Sequence, residues 1–196
     1  MYSKQNNSPE ILFLFPSFKE MILIDFIIDY HLGAAYILAY LKKMDICAKQ
    51  FIQREPVDLP ALVEKIIDQK PKIVGFTCYE TNYYFIKLIS QALKKKNSSL
   101  IFIAGGPTAT FSDELVMQDN PAIDICVRGE GEYTVYELVT QLKKSHDVSK
   151  IEGITYRLSG KIIRTQDRPL ITNGHKGQEL DIVPSPYLSS IFPIEE

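Results

Sequence analysis

An α/β fold built on a parallel sheet follows from three features of this sequence. Four short, continuous apolar runs and the more mixed Cys47 to Ile52 alternate with segments whose apolar residues recur at helical spacing. The runs lack polar alternation, as expected of strands covered on both faces by helices. Several of them stop abruptly at glycine or proline, the residues that end strands in tight turns. Alternation of strand and helix forces right-handed crossovers and a parallel sheet.

The elements follow in order. Ile11-Leu-Phe-Leu-Phe15, stopped by Pro16, is the first strand. Ser17 to His31 is a long connection carrying the oily stretch Met21 to Ile28, and connections of this length in compact domains are usually functional. Gly33 opens a helix through Lys43 with Ala34, Ile37, Leu38 and Leu41 on one face. Cys47 to Ile52 is the second strand. Leu59 to Gln69 is a helix with Leu62, Val63, Ile66 and Ile67 inward, ended by Lys70-Pro71. Ile73-Val-Gly-Phe-Thr-Cys78 is the third strand. Phe85, Ile89, Ala92 and Leu93 mark a third helix, whose closing lysines, Lys94 to Lys96, suit the negative end of its dipole.

Leu100 to Ala104 is the fourth strand, within Leu100-Ile-Phe-Ile-Ala-Gly-Gly-Pro-Thr-Ala-Thr110, and a short helix is expected from Ser112 to Gln118. Ile125-Cys-Val-Arg128 is the fifth strand, and Gly129-Glu-Gly-Glu132 leads into a helix with Val135, Leu138, Val139 and Leu142 in phase. This rhythm predicts a flavodoxin-like (Rossmann-like) five-stranded parallel sheet of order 2-1-3-4-5 with helices on both faces. Gly153 to Arg164 reads as a β-hairpin turning at Ser159-Gly160, and Pro184-Ser-Pro186 marks a linker. The expected division is 1–147 for the sheet domain and 148–196 for hairpin and linker.

Composition narrows the function classes. A net charge of −2 offers no basic footprint for nucleic acid. His31, His146 and His175 are isolated, which argues against a metal cage, and three widely spaced cysteines in apolar runs argue against disulfides or zinc. No signal peptide is visible at the N-terminus, and the longest apolar stretch is too short to span a bilayer, so a cytoplasmic protein is expected. Pro16-Ser-Phe-Lys lacks the acidic cluster of a phospho-acceptor site.

In the predicted order the ligand crevice lies between the ends of strands 1 and 3, so the loops after Phe15, Cys78, Ala104 and Arg128 are the candidates. Gly105 and Gly106 permit a ligand to lie against backbone, or alternatively only a tight turn. Thr77 places a hydroxyl at a strand end, as a ligand partner or as a turn residue. The carboxylates of Glu130 and Glu132 would repel a phosphate and suit hydroxyl or amide donors; equally, either complements a helix N-terminus.

In order, His31-Leu-Gly-Ala-Ala-Tyr-Ile-Leu-Ala-Tyr-Leu-Lys, Lys72-Ile-Val-Gly-Phe-Thr, Ile103-Ala-Gly-Gly-Pro-Thr-Ala-Thr110, Val127-Arg-Gly-Glu-Gly-Glu132, Gly153-Ile-Thr-Tyr-Arg and Glu179-Leu-Asp-Ile-Val-Pro-Ser-Pro186 resemble the N-terminal cobalamin-binding domain of cobalamin-dependent radical SAM proteins. The resemblance implies a corrin over the strand ends and a nucleotide tail in the crevice. Thr77, Cys78, Tyr79, Gly105, Gly106, Pro107, Thr108, Gly129, Glu130 and Gly131 would line it, with Tyr30 and His31 beneath the cobalt. It further implies a following radical SAM domain with S-adenosylmethionine and a four-iron four-sulfur cluster, methyl transfer as the commonest chemistry, and no catalysis by this chain alone. The Asp-x-His-x-x-Gly motif of related domains is not matched: aligned on Gly33, Tyr30 takes the histidine position and Ile28 the aspartate position. His31, one residue off, is a weak candidate ligand to cobalt, and a cobalt without histidine is expected. Gly106→Val is expected to block binding while leaving the fold intact. The rival reading is a ligand-free flavodoxin-like interaction or regulatory module.

Overall fold

The computed structural model describes residues 8–15, 31–53, 57–171 and 182–191. Its elements are β1 (Ile11–Phe15), α1 (Leu32–Lys43), β2 (Ala48–Ile52), α2 (Leu59–Asp68), β3 (Ile73–Thr77), α3 (Tyr83–Lys96), β4 (Ile101–Gly105), α4 (Pro107–Phe111), α5 (Asp113–Asp119), β5 (Ile125–Val127), α6 (Glu132–Lys144), β6 (Ile154–Leu158) and β7 (Lys161–Arg164). One sheet runs β2-β1-β3-β4-β5-β6-β7. The first five strands are parallel in the expected order.

The hairpin departs from expectation in its position. It extends the same sheet, with β6 antiparallel to β5 and β7 antiparallel to β6. Its turn is where the sequence puts it: Ser159 and Gly160 both have positive φ, 49° and 79°, as a two-residue hairpin turn requires. The long connection Ser17 to His31 lies, apart from His31, outside the described residues.

Strand alternation sends side chains to two separate cores. Leu12, Leu14, Val74, Phe76, Phe102, Ala104 and Cys126 pack against α2, α3, α4 and α5. Ile11, Phe13, Ile73, Ile103, Ile125 and Val127 pack against α1 and α6. Asp58 caps α2 by accepting from the Ala61 amide at 2.9 Å, with proline in the first turn where no amide is needed. The segment around Pro184–Pro186 lies back on α1: the Lys43 ammonium donates to the Ile182 carbonyl at 2.8 Å and Lys42 to Ser189 at 2.7 Å. Among the described residues no helix is long and apolar enough to cross a membrane.

At the amino-terminal edge Asp124 locks β4 to β5. Its carboxylate accepts from the fully buried Phe102 amide at 2.8 Å and from the Lys94 ammonium at 3.0 Å. Replacing it strands a buried donor, which costs about 1.5–3 kcal/mol for a bond to a charged partner. Asp124→Ala should therefore lower the unfolding free energy measured by urea titration by that amount while leaving the opposite edge of the sheet untouched; an unchanged unfolding free energy would show the bond to be dispensable.

Candidate functional site

The chain reverses its winding between β1 and β3, so the crevice opens at the carboxyl ends of those strands. Thr77 is in register with Gly105 at this edge. Counting back in steps of two reaches Ile73 and Ile103, whose side chains join the α1–α6 core, so Thr77 and Gly105 face that same side. The face of this edge that carries Thr77 and Gly105 is thus the one covered by α1 and α6.

Backbone hydrogen bonds tie the two inner loops together. The Cys78 amide donates to the Gly105 carbonyl at 2.7 Å, and the Thr108 amide donates to the Cys78 carbonyl at 3.1 Å. Between them Gly106 adopts φ of 87°, and a Cβ there would sit 3.0 Å from the Cys78 carbonyl oxygen and 3.1 Å from Thr77 Cγ2. Gly106 therefore serves the turn itself. The expectation that Gly106→Val leaves the fold intact is corrected on this ground: a side chain meets backbone before it meets any ligand.

Gly105 is different. A Cβ there has only the Val127 carbonyl oxygen nearby, at 4.0 Å, and at Gly129 (φ of 71°) nothing lies within 4 Å. Open volume stands over these two glycines. At Gly131 the space is taken by Ile37 of α1, whose Cδ1 would lie 2.7 Å from a Cβ. Thr110 joins the two turns: its hydroxyl donates to the Gly106 carbonyl at 2.9 Å and accepts from the Gly129 amide at 3.1 Å.

Of the remaining expected residues, Thr77 is half-buried and its hydroxyl makes no hydrogen bond among the described residues. Cys78 is fully buried; burial pushes its thiol up to about 12, so it contributes backbone and not a reactive sulfur. Pro107 starts α4 and is exposed. Glu130 is engaged by the chain itself, accepting from the Ile171 amide. Burial raises the Glu132 carboxyl, with the neighbouring Glu130 charge adding to the effect, and its Oε2 has no partner among the described residues. His31 sits at the N-cap of α1, stacked on Phe15 with centroids 4.3 Å apart and planes 14° apart. Its ring is 6.2 Å from that of the partly exposed Tyr79, and burial lowers its pKa. Tyr30 and Ile28 lie outside the described residues. No group of three or more His, Cys, Asp or Glu is placed to hold a metal ion among the described residues.

Two residues at this edge were not anticipated. Asn82 braces the loop after β3, accepting from the Tyr79 amide and donating to the Thr77 carbonyl, both at 2.9 Å. An asparagine just before a helix signals an N-cap, yet this side chain makes no cap bond and turns back into the loop. Thr110 is the other. A threonine four residues after a turn glycine gives little sign that it will bridge to a second glycine turn.

The B12 binding domain matches residues 29–139, more than half of the chain. Among curated relatives, an uncharacterised methyltransferase of Pyrococcus horikoshii is 37% identical over 59% of this chain and 25% of its own length. The anaerobic magnesium-protoporphyrin IX monomethyl ester cyclase of Rubrivivax gelatinosus is 33% identical over 70% of this chain and 26% of its own. The chain thus spans about a quarter of the relatives it matches. Among solved structures, the cobalamin-dependent S-adenosylmethionine radical enzyme OxsB with aqua-cobalamin bound superposes with a TM-score of 0.68 at 20% identity, over 95% of this chain and 25% of that one. The radical S-adenosylmethionine methyltransferase TsrM of Kitasatospora setae gives 0.66 at 14% identity, over 82% and 30%. These two likenesses concern the fold, and the fold agrees with the sequence match: the chain belongs to the B12-binding domain family.

Proposed function

We propose that this chain holds a cobalamin at the carboxyl edge of its sheet with the nucleotide tail in the slot over Gly105. The single observation that carries this placement is the open volume at Gly105 and Gly129, beside a Thr77 hydroxyl, in register with Gly105, that has no protein partner among the described residues. A long arm of amides, ribose and phosphate needs a slot with little side-chain volume and free polar groups along it. The residues present fit that need. The backbone about Gly106, Pro107 and Thr108 would flank the tail, with Gly129, Glu130 and Gly131 closing the far wall. His31, held flat on Phe15, and the half-exposed Tyr79 give the edge an aromatic rim against which a flat macrocycle can lie and exclude water.

Bound cobalamin supplies a cobalt that can accept and donate a methyl group. The chain's own residues bind and orient that cofactor. We infer that the whole protein is a cytoplasmic radical SAM enzyme, most simply a methyltransferase. In this reading 1–147 forms the cobalamin domain, and 148–196 leads into the domain carrying S-adenosylmethionine and the four-iron four-sulfur cluster. The methyltransferase names among the relatives support the chemistry, and the small share of each relative that this chain spans supports the further domain.

Purified chain incubated with hydroxocobalamin and desalted should retain the visible corrin spectrum. No retained absorbance at high protein concentration would overturn the placement. Gly105→Val should abolish retention with little change in thermal midpoint, because a strand tolerates valine and a Cβ meets only open volume. Gly106→Val should instead lower stability, by about 1–3 kcal/mol for a side chain forced into positive φ. If Gly105→Val binds normally, the tail lies elsewhere.

His31 gives a test in the ligand-free chain. Burial lowers its pKa from 6.5, so the unfolded chain takes up the proton first as pH falls. Its contribution to stability is therefore complete above pH 6.5 and is lost as pH falls through the lower folded value. An NMR titration should place the imidazole midpoint below 6.5, and urea midpoints should drop between pH 7.5 and 5.5 by more than in His31→Phe. A midpoint at or above 6.5 would show the ring to be hydrated.

A further inference from the structure

Behind the Gly129 turn lies a buried ionic network outside both the glycine-lined edge and the hydrophobic core. Arg128, the residue before the turn, is only 4% exposed. Its Nη1 donates to Thr155 Oγ1 of β6 at 2.6 Å, its Nη2 to the Thr165 carbonyl at 2.7 Å, and its Nε to Asp167 Oδ1 at 3.0 Å. The buried Asp113 at the start of α5 accepts from the Thr155 hydroxyl and, at 3.2 Å, from Arg164 Nε. Arg164 also reaches Asp167 at 3.0 Å.

The strap of chain after β7, residues 165–171, then runs along the elements that frame the turn. Gln166 accepts from the Gly153 amide at 2.7 Å, Arg168 donates to Glu137 of α6, and the Ile171 amide donates to Glu130 within the turn itself. Hairpin and strap thus grip Arg128, Glu130 and α6.

A buried ion pair is weak support for stability, since apolar residues of the same volume usually serve as well. What such a network does supply is fixed geometry, and its location is a glycine turn that has little intrinsic rigidity. We propose that Arg128 and Asp167 are positioning residues for cofactor binding, with the hairpin and strap holding the Gly129–Gly131 turn in its binding shape. This rests on the placement of the cobalamin tail given above. Asp167 is the useful probe: its side chain is 67% exposed, so truncating it leaves no cavity.

The full chain is titrated with hydroxocobalamin as wild type, Asp167→Ala, Asp167→Glu and Asp119→Ala, the last removing an exposed carboxylate at the end of α5 that binds Lys87 and the Tyr83 hydroxyl. Amide exchange at Gly129 to Gly131 is measured on the same proteins without ligand. Asp167→Ala should weaken binding about tenfold, the loss of one charge-assisted bond. It should also speed exchange across the turn by more than across α2. Asp167→Glu should restore most of the affinity, and Asp119→Ala should bind as wild type. Unchanged turn exchange in Asp167→Ala, or affinity within about twofold of wild type, would overturn the inference. Failure of the wild type to bind would instead overturn the cofactor placement, while the ligand-free exchange still decides whether the network holds the turn.

Discussion

The structure depends on one backbone arrangement, the pair of hydrogen bonds by which Cys78 joins Gly105 and Thr108. This pair carries the β3–β4 ladder past the last strand residues and then bends it into α4. Only a residue without Cβ can occupy the bend, since Gly106 lies against the Cys78 carbonyl at positive φ. Everything that opens at this edge follows. Thr77 and Gly105 are set side by side, α4 departs toward the α2–α3 side, and the opposite side is left to α1 and α6 with a slot between.

The second wall of the slot is fixed by different means. Strand β5 is only three residues long and contributes few ladder bonds of its own. Its carboxyl end is held from outside by β6, through Arg128 N to the Gly153 carbonyl at 2.8 Å, and from inside by Thr110. A polar network replaces the strand pairing that a longer β5 would provide. The inner wall is therefore backbone and the outer wall is largely side chain, and the two respond differently to substitution: one through φ and steric contact, the other through charge and hydrogen bonding.

Most of the fold was legible in the sequence because apolar periodicity reports burial directly. The five parallel strands, their order and the Ser159-Gly160 turn are all recovered, with boundaries shifted by a residue at Cys47, at Cys78, at both ends of the fourth strand and at Arg128. Cys78 and Arg128 read as strand because they are buried and continue the backbone pairing by one bond. Helix α4 was missed: Pro107-Thr-Ala-Thr-Phe111 is too short to show a period, and its only sign is proline after glycine. The hairpin was legible as a hairpin but not as a sheet edge, because periodicity does not say which strand a hairpin will pair with. For the same reason the Arg128–Asp113–Thr155 cluster was invisible: its members lie far apart in sequence and meet only when β6 docks on β5.

The glycines show where sequence reading stops and geometry must continue. Gly105 and Gly106 are adjacent and equally suggestive of a ligand, yet one is required by the protein's own backbone and the other leaves empty volume. Gly129 and Gly131 repeat the division, with open space at the first and Ile37 packed against the second. Each glycine pair therefore combines a residue that closes the fold with a residue that leaves room beside it. The pairing has a physical logic. A slot lined by backbone stays open only if the chain bounding it is held rigidly, and the position that provides the room cannot also make the contacts that hold it. Neighbouring glycines divide the two tasks, which is why the open volume at Gly105 and Gly129 stands beside the closely packed Gly106 and Gly131.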